Sequence, residues 1–236
     1  MSAGRTGAAA GLLYVGAGLF WIFEAHPPGP PPVLAAWLVA VAVAGWFVPG
    51  AANQVSLARA YLAAPALVYA ATPGGLGFLA VVLALAGLSD LVDGTVARHV
   101  ARPTTLGGGL DPVVDGLFMG AVVSGLVIST VIPAWLAAVV VGRYLLPAIG
   151  AAVLIALRRR PELRHTLTGQ LSTSLILVLV GGIVLFRGLN QDAGRLVDAA
   201  EVVIPIATLA TFGHLAWVAR RPAAPPEGAS AGPSVR

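Results

Sequence analysis

The chain has 236 residues, of which 58% are hydrophobic and only 10% charged, and its mean hydropathy is +0.89. A soluble domain of this size needs far more charge to cover its surface, so a water-soluble fold is excluded. The absence of cysteine removes disulfides, thiolate nucleophiles and cysteine-ligated metals. The net charge of +4 rests on 14 basic residues, all arginine and mostly at the ends of apolar runs, a placement that points to membrane topology rather than to nucleic acid.

The apolar residues run in long uninterrupted stretches instead of amphipathic stripes, as in helices that face lipid. Eight spans are expected, over residues 7–24, 33–49, 54–72, 75–98, 111–132, 134–157, 167–187 and 199–219. At about 1.5 Å rise per residue, each crosses or nearly crosses a hydrocarbon core of about 30 Å. The first run could pass for a signal peptide, but a second follows at once without a small-residue cleavage site, so it reads as a retained span. Proline and glycine clusters at His26–Pro32, Pro49–Ala52 and Thr72–Gly75 separate the early runs. Residues 222–236, rich in Pro, Ala, Gly and Ser, read as a disordered tail.

Arginine placement sets the orientation. With all eight runs spanning, one side receives Arg5, Arg59, Arg98, Arg102, Arg158, Arg159, Arg160, Arg164, Arg220 and Arg221, on it or near it. The other side receives Arg187 and Arg195, offset by Asp192 and Asp198. The positive-inside rule then puts both termini in the cytoplasm of a multi-pass cell-membrane protein. Trp21, Trp37, Trp46, Trp135 and Trp217 fall near span ends and read as an interfacial belt.

Between His26 and Pro161 there are only four acidic residues, Asp90, Asp93, Asp111 and Asp115. Carboxylates in apolar helices are costly and mark function by default, in a pump or transporter as readily as in an enzyme. Spacings of three and four put each pair on one helix face. In the expected topology one pair ends a descending helix and the other begins the next rising one, so the two meet near the cytoplasmic interface. Four clustered carboxylates repel unless cations lie between them. All-oxygen ligation favours Mg²⁺ or Mn²⁺, with two ions expected. Such a centre suits phosphoryl transfer, with a spare carboxylate to take a proton from an attacking hydroxyl. Gly94 and Ala97 remove bulk beside Asp93, and Arg98 supplies a fixed positive charge suited to phosphate. An ion-coupled transporter is the competing class, yet the acidic residues cluster at one depth and no internal repeat is visible.

The run Asp90-Leu-Val-Asp93-Gly94-Thr-Val-Ala97-Arg98, then Gly107, Asp111 and Asp115 at intervals of eight, three and three residues, resembles the signature of the CDP-alcohol phosphotransferases, and all eight fixed positions match. Asn53, Ser56 and Arg59 are similar to the Asn-x-x-Thr/Ser-x-x-Arg opening of that family's first core helix, although Asn53 and Ser56 also suit a helix cap by type and spacing. The resemblance implies an all-α polytopic membrane protein, with a six-helix catalytic core over residues 51–221 and two extra N-terminal helices over residues 1–50. It implies that Asp90, Asp93, Asp111 and Asp115 bind metal and that Asp115 is also the general base. Gly94, Ala97, Arg98 and Gly107 would shape the CDP pocket, with Asn53 and Ser56 beside it. The implied reaction passes a phosphatidyl or related lipid-phosphate group from a CDP-linked lipid, such as CDP-diacylglycerol, to an alcohol and releases CMP. The implied partners are donor, acceptor and membrane lipid, in a homodimer.

Acceptor identity turns on a second region. Gly142-Arg143-Tyr144 and Thr168-Gly169-Gln170-Leu171-Ser172-Thr173 resemble phosphatidylglycerophosphate and cardiolipin synthases. Tyr144 stands where an acidic residue is usual, and Gln170 and Gly116 where lysines are. Arg143, Arg158, Arg159, Arg160 and Arg164 are the candidate acceptor-binding cations. Glycerol 3-phosphate is narrowly favoured over inositol phosphate and phosphatidylglycerol.

Overall fold

The computed structural model describes the backbone of residues 3–48, 51–99, 107–156 and 167–219. Within the helices, the side chains of residues 3–6, 51–52, 89–99, 107–112, 148, 150–156, 167–168, 170 and 218–219 lie outside the description. Eight helices and no strand are found among the described residues. They are α1 (Ala3–Glu24), α2 (Pro31–Phe47), α3 (Ala51–Ala71), α4 (Leu76–His99), α5 (Gly107–Ile128), α6 (Ala134–Ala156), α7 (Leu167–Gly188) and α8 (Gly194–Ala219). Each expected span has its helix.

Local chemistry explains the boundaries. α2 opens on prolines in its first turn, where the missing N–H is no loss and φ is already helical. α5 and α7 close in the same way. In α5 the Val131 N–H donates to Leu126 O at 2.8 Å and the Thr130 N–H to Val127 O at 3.0 Å, with Thr130 in the left-handed region at φ 59°. In α7 the Gln191 N–H donates to Phe186 O at 2.8 Å and the Asn190 N–H to Arg187 O at 3.0 Å, with Asn190 at φ 56°. These paired bonds satisfy carbonyls that a helix end otherwise leaves open. α8 then starts where Asp192 Oδ1 accepts the Gly194 N–H at 3.0 Å.

Helix contacts form a closed circuit. α3 packs on α4, α4 on α7, α7 on α8, α8 on α6, α6 on α5, and α5 back on α3. The six-helix ring is filled by Leu79, Val122, Leu126, Val140, Ile183 and Ile204, all buried. α1 and α2 pair with each other and attach to the ring through α3. There a second buried cluster joins Tyr14, Leu38, Val41 and Ala42 to Leu57, Ala60 and Tyr61 of α3 and Val114 of α5. α3 and α5 run parallel and very close: a Cβ on Gly125 would lie 2.4 Å from the Ala70 Cβ and 2.8 Å from the Leu67 carbonyl. Only a residue without a side chain permits that approach.

Outside the ring, large apolar side chains such as Leu12, Phe20, Phe78, Leu171, Val178 and Leu209 are exposed, as lipid-facing surfaces are. Among the described residues three helical stretches are long and apolar enough to cross a membrane: Gly7–Glu24, Leu171–Gly188 and Gly194–Trp217. Among the described residues, shorter apolar stretches run over Leu76–Leu88 in α4 and Val113–Ile128 in α5. Two of the tryptophans also bond to α3. Trp37 donates its Nε1–H to Ala60 O at 3.1 Å and Trp21 donates to the Tyr69 hydroxyl at 2.8 Å, both partly buried against α3.

Candidate active site

α3 begins at Ala51, so Asn53, Ser56 and Arg59 lie inside the helix and not at its N-cap. At intervals of three they form one row, and all three are buried, with 5%, 4% and 7% of their surface exposed. The rest of α3 is rich in alanine, which lets neighbouring helices close around that polar row.

The Arg59 guanidinium, through Nη1, donates to Oδ1 of Asp115 on α5. The arginine is almost fully enclosed while a third of the Asp115 side chain remains exposed. An ion pair in an apolar bundle forms because each charge alone would be costly there. The geometry also fixes the carboxylate, since a planar guanidinium presents its donors in one fork. Arg59 was legible as part of a motif but had no assigned role. The signal that could have found it is elementary: an arginine two turns into an apolar helix needs a partner.

Helix depth places the signature backbone at this level. At about 1.5 Å per residue, Arg59 and Asp115 each lie about 12 Å inside the starts of α3 and α5. Asp93 and Asp90 stand about 9 and 14 Å inside the end of α4, and Asp111 about 6 Å inside α5. α4 returns antiparallel to α3 after a four-residue turn, which puts its last turns at the end where α3 begins. For Asp90, Asp93, Gly94, Ala97, Arg98, Gly107 and Asp111 only the helical backbone is described, and their side chains lie outside the described residues. Among the described residues no group of three metal-ligating side chains occurs. By residue type the donor set nonetheless fits a hard divalent cation, because four aspartates would supply only oxygen ligands.

Arg143 sits in α6, 9% exposed. Its Nε donates to Ser172 Oγ at 3.3 Å, and its Nη2 donates to Gly169 O at 3.1 Å and Thr173 Oγ1 at 3.5 Å. All three partners, on α7, are neutral acceptors, so the two motif segments separated in sequence are joined in space. Arg158, Arg159, Arg160 and Arg164 lie outside the described residues. Two positions that depart from the synthase pattern touch one another: a Cβ on Gly116 would lie 3.1 Å from the Tyr144 Cβ. The tyrosine thus packs against the residue that follows Asp115.

A family model described as CDP-alcohol phosphatidyltransferase matches residues 50–213. The chain belongs to that family. The match begins at the entry to α3 and ends within α8, leaving α1 and α2 outside it. Proteins similar to the chain include a "Probable cardiolipin synthase (CMP-forming)" of Drosophila melanogaster, 36% identical over 39% of this chain and 28% of that protein. A "Probable phosphatidylglycerophosphate synthase" of Mycobacterium tuberculosis is 30% identical over 54% of this chain and 60% of that protein. A human "Cardiolipin synthase (CMP-forming)" is 29% identical over 57% of this chain and 49% of that protein. The chain therefore spans less than two thirds of the length of each of these relatives.

Proposed function

We propose that the chain is a divalent-metal-dependent phosphatidyltransferase of phospholipid synthesis, which moves a phosphatidyl group from CDP-diacylglycerol to an alcohol and releases CMP. The observation that carries this reading is the Arg59–Asp115 pair. The last aspartate of a complete family signature is held, still one-third accessible, beside a buried row of polar residues on α3. Family membership removes the support for an ion-coupled transporter.

In this reading Asp90, Asp93, Asp111 and Asp115 hold Mg²⁺ or Mn²⁺, two ions by the donor count, and the bound metal supplies charge neutralisation at the diphosphate. Gly94, Ala97, Arg98 and Gly107 shape the CDP pocket, with Asn53 and Ser56 beside it. Asp115 accepts the proton of the acceptor hydroxyl as that oxygen forms a bond to the lipid-linked phosphorus. The phosphorus–oxygen bond to CMP breaks, and CMP leaves with that electron pair. Residues 51–221 form the catalytic unit, with 1–50 as an added helical pair and 222–236 as a tail. The site and both termini face the cytoplasm across the cell membrane, and the enzyme works as a homodimer.

Glycerol 3-phosphate is the proposed acceptor. Its support is Arg143, a buried cation with neutral partners among the described residues and room in its charge balance for a phosphate. Arg158, Arg159, Arg160 and Arg164 would draw such an anion from the cytoplasm. Phosphatidylglycerol is a second reading, favoured by the relatives named cardiolipin synthases and by Tyr144 lying against Gly116 where added charge is absent. Inositol phosphate has no comparable support. The deciding experiment follows CMP release from CDP-diacylglycerol in detergent with Mg²⁺ or Mn²⁺ and each acceptor in turn. Metal-dependent release with glycerol 3-phosphate alone is expected, and silence with every acceptor together with no CDP-lipid binding would sink the enzyme reading.

A further inference from the structure

α1 and α2 lie outside the family match, yet they are bonded to the helix that carries Arg59. The Tyr14 hydroxyl of α1 donates to the Gln54 backbone carbonyl of α3. The Gln54 side chain in turn donates from Nε2 to Gly45 O and Val48 O, both at 2.7 Å, closing the carbonyl end of α2. The Tyr61 hydroxyl of α3 returns to Tyr14 O at 2.7 Å, and the two tyrosine rings stack with centroids 5.2 Å apart. These bonds flank Arg59 on either side along α3. The same buried cluster takes in Val114, the residue before Asp115.

We infer that the α1–α2 pair is a positioning element for the reaction: the Tyr14–Gln54–Tyr61 lock sets the depth and rotation of α3, and so the placement of Arg59 against Asp115. The physical case rests on geometry. α3 is Ala-rich and presents little side-chain relief to resist sliding or turning against α5. Directional hydrogen bonds between groups with no water to compete for them supply that resistance. They meet α3 at Tyr61 and Gln54, about 3 and 8 Å along the helix from Arg59, and come from two different helices. A shift of about 1 Å at a reacting group can cost on the order of 100-fold in rate, so a lock remote from the substrate is felt in turnover. Tyr14, Gln54 and Tyr61 touch no reacting atom in this scheme and are positioning residues.

The inference rests on the proposed transferase activity, and its test separates the two. The full chain carrying Tyr14→Phe with Gln54→Met keeps the ring stack and the side-chain volume but loses the bonds to Gln54 O, Gly45 O and Val48 O. Tyr14→Phe alone serves if the pair does not fold. The control is Trp21→Phe, which breaks a bond between the same two helices, α1 and α3, at Tyr69, about 15 Å further along α3. The expected result is a fall of about tenfold in kcat for the lock variant, with donor KM within about twofold and the control near wild type. Wild-type kcat in the lock variant, or an equal loss in the control, overturns the inference. A second readout needs no activity. Because the chain has no cysteine, Ala63→Cys with Met119→Cys reports the approach of α3 to α5 one turn beyond the ion pair through its rate of oxidative cross-linking. The lock variant should cross-link several-fold more slowly, and an unchanged rate overturns the inference even if no acceptor yields CMP. Inactivity of the wild type with every acceptor counts against the transferase reading alone.

Discussion

Asp115 and Arg59 differ in what each contributes, and substitution can separate the two. Asp115→Asn keeps the size of the side chain and its ability to accept one hydrogen bond, but removes the proton acceptor and a metal-ligand charge. CMP release per folded molecule should fall by about 10³. Arg59→Lys retains the charge but loses the planar fork, so a smaller fall, about tenfold, is expected, and Arg59→Met should approach the Asp115→Asn level. Arg143 gives a different pattern. If its free charge meets the acceptor, Arg143→Met should raise the acceptor KM about tenfold and leave the donor KM unchanged, in steady-state assays varying each substrate. The aspartates and the polar row of α3 were legible in the sequence because charge in an apolar run is conspicuous and the spacing is strict. The ion pair was not, because Arg59 and Asp115 are 56 positions apart and no local period links them. The contact of Tyr144 with Gly116 was hidden for a similar reason, since a missing side chain leaves no mark in a sequence until its neighbour is known.

Helices were the most legible part of the molecule. Long apolar runs punctuated by proline and glycine located all eight, and the ends agree to within a turn except at the starts of α1, α5 and α8 and the end of α5. The exceptions are instructive: each start carries small or polar residues that an apolar count discards but that helical hydrogen bonding accommodates. Which helices touch was not legible, because lipid-facing and bundle-facing sides are equally apolar and leave no amphipathic stripe. The order of the ring, α3–α4–α7–α8–α6–α5, emerges only from packing. Its tightest described seam lies between α3 and α5 at Gly125. Replacing Gly125 with Val would force Ala70 and the Leu67 carbonyl apart and should destabilise the protein by about 1–3 kcal/mol. A lowered thermal midpoint in detergent would report it, whereas Gly120→Val, where a Cβ meets nothing, should leave the midpoint near wild type.

For the whole molecule, the arginine bias makes an orientation testable in cells. The cysteine-free chain allows single reporters: Asn190→Cys, in the α7–α8 turn, should react with an impermeant maleimide in intact cells, and Ser234→Cys only after lysis. Labelling of both from outside would reverse the proposed topology and put the aspartates on the wrong face for a cytoplasmic nucleotide. Metal dependence belongs to this scale as well. Chelation should abolish CMP release and added Mg²⁺ or Mn²⁺ should restore it, with the oligomeric state unchanged by size-exclusion chromatography.

α3 is the helix on which the ring and the added pair converge, and among the described residues it holds none of the apolar stretches that the other seven helices supply. During synthesis it reaches the bilayer carrying Asn53, Gln54, Ser56 and Arg59, before α5 and its aspartate exist. Partitioning into lipid alone would be unfavourable for such a segment. The hairpin made just before it already offers the Gly45 and Val48 carbonyls, which the Gln54 side chain takes up in the finished structure. Biogenesis of α3 should therefore lean on its predecessors: the α1–α2 hairpin can take up Gln54 first, and Arg59 gains its partner only once α5 is made.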